Sequence, residues 1–184
     1  MVGVNPDDAL ARTRGLSACV AKHAGFLGWL LAERYEVRLF HATEAELRIC
    51  ERLEAHLTRE GLLREGETLR HAEALRPEQM LDSLAGCDIV VAGGFHCILI
   101  PALSGVPVVG LAHASPARDL LERLGQDRYA ANIDRFGTPQ LVDSFCSLRA
   151  NADGARDLLK LRIPECREAV RLQYDELYGP VVEA

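Results

Sequence analysis

The residues of this chain best suited to chemistry follow a pair of glycines. Cys87-Asp88-Ile89-Val90-Val91-Ala92 is an apolar, β-branched run without polar alternation, the pattern of a parallel strand buried on both faces. Gly93-Gly94 then lets the backbone turn sharply and approach a ligand. His96 stands two residues on, in an apolar segment from Phe95 to Ile100 that reads as the opening of a helix. A histidine there can give a proton or hold a phosphate oxygen, because imidazole changes charge near neutrality. The first N–H groups of the helix add partial positive charge at the same place. The competing reading is a capping or buried histidine satisfied by backbone. Gly105 to Gly110 supplies a second buried strand, with His113 and Ser115 just beyond it. A right-handed crossover between the two strands sets His96 and His113 on one edge of the sheet.

Two cofactor classes find little support in these residues. His96, Cys97 and His113 make a poor metal set, since Cys97 points with its helix into the core and no fourth ligand is evident. Gly93-Gly94 lacks the full G-x-G-x-x-G and the acidic residue that holds a ribose. Neither a metal nor a nicotinamide dinucleotide is expected, and no other cofactor is called for.

The elements that must position these residues alternate. Met1 to Val4 reads as a strand, and a helix follows from about Gly15 to Arg34, where Gly25 and Gly28 require something packed closely. Tyr35 to Phe40 is a short strand. Thr43 and Glu46 form a capping box for a helix ending near Gly61, and Glu67 to Arg70 suggests a small strand. Pro77 opens a helix with Met80, Leu81 and Leu84 facing inward. Ser115-Pro116 reads as N-cap and first helical position of a helix ended by Gly125, and Thr138-Pro139 repeats the device. Residues 151–179 are largely helical, with a kink or restart at Pro164. The pattern predicts a Rossmann-like α/β domain spanning residues 1–184, doubly wound, with a mostly parallel sheet and helices on both faces. The first four strands are expected to make one mononucleotide-type half, with the glycine turn near the topological switch point.

Composition narrows the partners. The formal net charge is −6, with two lysines and with arginines scattered among acids, so neither nucleic acid nor an anionic membrane finds a basic stripe. Six cysteines without a CxxC pair read as reduced structural thiols in a cytoplasmic protein. No apolar run approaches ~18 residues, and the first residues carry no export signal, so no transmembrane segment is expected.

Residues 78–148, and more loosely the whole chain, resemble the C-terminal domain of polysaccharide pyruvyl transferases. The matching elements are the helix EQMLDSLAGCD, the strand IVVAG, a histidine with an apolar helix (HCILIPALSG), the strand VPVVGL, and LLERLG further on. The resemblance implies the donor-binding half of a two-domain transferase of GT-B type, which moves a pyruvyl unit from phosphoenolpyruvate to a glycan acceptor as a ketal. It implies His96 as the catalytic residue. It also implies substrate contacts at Gly93, Gly94, Phe95, His113, Ser115, Arg118 and Asn5. The family usually shows Arg where this chain has Phe95, Arg-Pro where it has Asn5-Pro6, and a lysine at Pro116 unless Arg118 serves. Up to three cationic positions are therefore neutral, and weak affinity for a trianionic donor is expected. Arg12 and Arg14 are further candidates to replace the missing charge. An N-terminal domain or partner chain is expected to complete the site, and the chain alone is expected to turn over little. Two other readings remain open: a GT-B-like domain using a nucleotide sugar, and a binding or assembly domain that kept the fold without catalysis.

Overall fold

The computed structural model describes residues 1–6, 15–41, 43–63, 69–73, 76–112 and 116–179. Six strands are present: β1 (Val2–Asn5), β2 (Val37–His41), β3 (Arg70–Glu73), β4 (Ile89–Gly93), β5 (Val108–Ala112) and β6 (Ala131–Asn132). All pair in parallel, in the order β3-β2-β1-β4-β5-β6. Between and after them run α1 (Leu16–Ala32), α2 (Glu44–Arg59), α3 (Pro77–Leu84), α4 (Phe95–Leu103), α5 (Ala117–Arg123), a 3-10 turn at Asp127–Tyr129, α6 (Thr138–Ala150) and α7 (Ala152–Tyr178). This is the doubly wound Rossmann-like order.

The strand pattern is explained by burial on both sides. Val2, Val4, Val37, Leu39, Ile89, Val91, Val109 and Leu111 pack under α1, α2 and α6. Phe40, Val90, Ala92, Val108 and Ala112 pack against α3, α4, α5 and the first part of α7. Successive residues of β4 and β5 therefore enter different cores, and no position in them is left for a polar alternation. In α1 the two glycines are close-approach positions. A Cβ on Gly28 would lie 2.7 Å from Leu62, and one on Gly25 would run into Thr138 of α6.

Several sequence expectations need correction. The halves hold three strands each, because β4 pairs with β1 on its free side and so opens the second half. The small strand lies at Arg70–Glu73, beyond the expected Glu67–Arg70, where its residues are in register with β2. Leu81 is 50% exposed, because an eight-residue helix turns Met80 and Leu84 inward and carries Leu81 about 100° round. Pro116 is the N-cap of α5, so the helix begins one residue later than Ser115-Pro116 suggested. Thr138 is likewise the first residue of α6, with Gly137 as its N-cap. Pro164 lies inside one continuous α7 and does not restart it.

The last part of α7 behaves differently from its start. Ala155, Leu159 and Ile163 are buried, whereas Val170, Tyr174, Leu177 and Tyr178 are exposed.

One buried group makes the fold sensitive to acid. His23 of α1 is 1% exposed, its Nδ1–H donates to Cys19 O at 2.9 Å, and its ring meets Phe136 edge-on. Burial, aided by Lys22, holds its pKa below the ordinary 6.5. The unfolded chain then binds more protons than the folded one below pH 6.5, so stability rises with pH in that window. Stability should be complete above about pH 6.5 and fall as the solution is acidified through the lowered value. Urea titrations from pH 7.5 to 5 should show a shallower acid-side loss in His23→Leu; an unchanged slope would remove His23 from the account.

Candidate functional site

In a parallel sheet every strand ends on the same edge. Here that edge is formed by Asn5, His41, Glu73, Gly93, Ala112 and Asn132, the last residues of the six strands. The order reverses between β1 and β4, where Asn5 is in register with Ala92. Ligands of open α/β sheets bind at such a reversal.

The β4 side of this crevice is built by the glycine turn. Gly94 has φ +72°, a conformation that a side chain would strain, and it caps α4. The first helical hydrogen bond is Ile98 N–H to Gly94 O at 3.2 Å, so the amides of Phe95 and His96 precede the ladder of the helix. Both side chains are exposed, and their rings meet edge-on with centroids 5.5 Å apart. Gly93 is buried in the strand. An anion at this turn would meet outward amides, the positive end of a nine-residue helix and an accessible imidazole.

The β1 side is built from buried polar groups. Asn5 is 0% exposed. Its Nδ2 donates to Phe40 O of β2 at 3.1 Å and to the Glu46 carboxylate of α2 at 3.2 Å. Glu46 is itself buried, and its backbone N–H donates to the Thr43 hydroxyl at 3.1 Å. The expected capping pair is thus present in its Thr43 half, while the Glu46 carboxylate is drawn to Asn5. Asn5 has spent both N–H groups and has no donor left for an anion. His41, 5% exposed at the end of β2, is the third buried polar residue of this edge.

The remaining site residues fall as follows. His113 and Ser115, along with Arg12 and Arg14, lie outside the described residues. Arg118 is on the surface of α5, where its guanidinium pairs with Glu122 one turn on, at 3.4 Å. The structure therefore brings Asn5, Gly93, Gly94, Phe95 and His96 to one edge and leaves Arg118 engaged elsewhere. Sequence reasoning missed His41 and the inward role of Glu46. His41 carried the same signal as His96, a histidine at the end of an apolar strand, whereas nothing local marks the bond from Glu46 to Asn5.

Alternatives for the site can be tested on the same geometry. Among the described residues no three His, Cys, Asp or Glu side chains are grouped to hold a metal ion. The strand order would suit a dinucleotide, but the connection from Asn5 to Gly15 has no G-x-G-x-x-G and β2 ends in His41 where an acid would hold the ribose. A basic groove of about 370 Å³ lies between α1 and α2, lined by Ser17, Arg52, His56 and Arg59 among others. It belongs to the helix surface and is a separate feature from the strand ends.

The Asn5–Glu46 contact makes a direct prediction. Asn5→Asp would set two carboxylates about 3.2 Å apart in a buried place. The folded pair would hold an extra proton, so its carboxyl pKa is raised and stability is lost as pH rises through that value. The variant should be less stable than the natural chain by about 3 to 5 kcal/mol at pH 8, with a smaller deficit at pH 5. Denaturation midpoints at the two pH values measure this, and a pH-independent deficit would contradict the contact.

Comparison with known proteins adds the family. The family model described as polysaccharide pyruvyl transferase matches residues 2–115, from β1 through β5 and more than half of the chain. The resemblance over residues 78–148 overlaps this match as far as residue 115. No curated protein and no solved structure matches the chain. With the doubly wound sheet, the glycine turn and His96 all falling in or beside the matched strands, this chain belongs to the polysaccharide pyruvyl transferase family.

Proposed function

We propose that this chain is the donor-binding half of a transferase that moves a pyruvyl group from phosphoenolpyruvate to a glycan as a ketal. The observation that carries the reading is the turn at Gly94, which sets the α4 amides and the exposed His96 at the switch point of a sheet belonging to this family. A phosphate or carboxylate of the donor sits at the N-terminus of α4. His96 gives a proton to the donor methylene, a glycan hydroxyl adds to the adjacent carbon and loses its proton, and a second hydroxyl displaces phosphate. The products are the ketal and inorganic phosphate. A second lobe, from an N-terminal domain or a partner chain, closes over the acceptor and supplies the positioning that a bimolecular step needs.

Charge sets the expected strength of donor binding. Phe95 stands beside His96 where the family carries arginine, and both N–H groups of Asn5 are committed to protein acceptors. Two helix-end amides and an imidazole give weaker compensation than a guanidinium. Calorimetry with phosphoenolpyruvate should therefore give weak binding to the natural chain, weaker still in His96→Ala. Phe95→Arg should tighten it by about tenfold or more, as a bidentate contact would. Micromolar affinity in the natural chain, or no gain in a folded Phe95→Arg variant, would misplace the donor. Protection by a nucleoside diphosphate instead would favour the glycosyltransferase reading.

A further inference from the structure

The carboxamide of Asn5 is oriented by its neighbours. Flipped, its oxygen would face Phe40 O and the Glu46 carboxylate, two acceptors; as placed, both N–H groups are used. The group is planar, so the oxygen is turned away from β2 and α2. β1 lies between β2 and β4, and the side away from β2 is the side of the glycine turn. Asn5 Oδ1 is buried and has no hydrogen-bond partner among the described residues. A buried acceptor without a donor is costly unless something else supplies one.

We propose that Asn5 Oδ1 accepts a hydrogen bond from a sugar hydroxyl seated between the ends of β1 and β4, beside the anion held at the N-terminus of α4. This rests on the donor reading for the anion and adds the acceptor's position. The chemistry of Asn5 favours an O–H over an anion: its two N–H groups are committed to Phe40 O and Glu46, and a carbonyl oxygen can only accept. The anion belongs on the β4 side, where the helix end and His96 are. Asn5 thereby becomes a positioning residue that turns the hydroxyl oxygen toward the donor, and Glu46 holds Asn5 in that orientation.

The test uses two small phosphates. Glycerol 3-phosphate offers hydroxyls beside the phosphate, and n-propyl phosphate offers the phosphate alone. Calorimetry on the natural chain should give about tenfold tighter binding of glycerol 3-phosphate, the effect of one buried hydrogen bond. In Asn5→Ala/Glu46→Gln the ratio should collapse toward one. Since that variant loses buried bonds and can unfold, a second readout uses the natural chain: the Asn5 side-chain amide resonances should move with glycerol 3-phosphate and stay with n-propyl phosphate. Equal affinities, no binding of either phosphate, or an Asn5 signal that does not distinguish them would overturn the proposal. Phosphoenolpyruvate titrated in parallel separates the two readings. A preserved hydroxyl preference without phosphoenolpyruvate binding would sink the donor assignment alone, and phosphoenolpyruvate binding without the preference would sink the hydroxyl site alone.

Discussion

The parallel pairing of β1 with β4 is the constraint on which the site depends. Asn5 opposite Ala92 fixes how far each strand reaches before its loop begins, and the two strands leave the pair toward opposite helical layers. α1 covers one face and α4 the other. Open α/β sheets place their ligands at such a divergence. Two chemically distinctive features sit on its rim: the Gly94 turn with its exposed histidine on one side, and the buried Asn5–Glu46 pair on the other.

The two rims differ in physical character. The β4 rim offers donors, since α4 begins with amides ahead of its ladder and His96 is accessible. The β1 rim offers an acceptor backed by a carboxylate. The proposed anionic donor and hydroxyl acceptor match these two rims in that order.

Legibility in the sequence followed the range of the interactions. Strands buried on both faces announce themselves as unbroken β-branched runs, so Ile89 to Gly93 and Val108 to Ala112 were found within two or three residues at their ends. Helix faces were legible in part, as at Met80 and Leu84, both buried. Leu81 misled because apolar spacing does not say how wide a face the neighbouring elements cover, and around α3 they cover Met80 and Leu84 but not Leu81. β6, two residues long, exists through its pairing with β5 and carries no pattern of its own. The glycine turn and His96 were visible as a local motif. Asn5 was singled out only through the family pattern, and its contacts with Phe40 and Glu46 span 35 and 41 residues. A contact of that range leaves no trace in local spacing, which is why the Asn5–Glu46 pair appeared only in three dimensions.

The account stands most directly on where phosphoenolpyruvate binds. A crystal structure of the chain soaked with it should show the phosphate or carboxylate at the start of α4, within hydrogen-bond reach of the Phe95 and His96 amides. Density instead in the groove lined by Arg52, His56 and Arg59 between α1 and α2, with the Gly94 turn empty, would contradict the central claim.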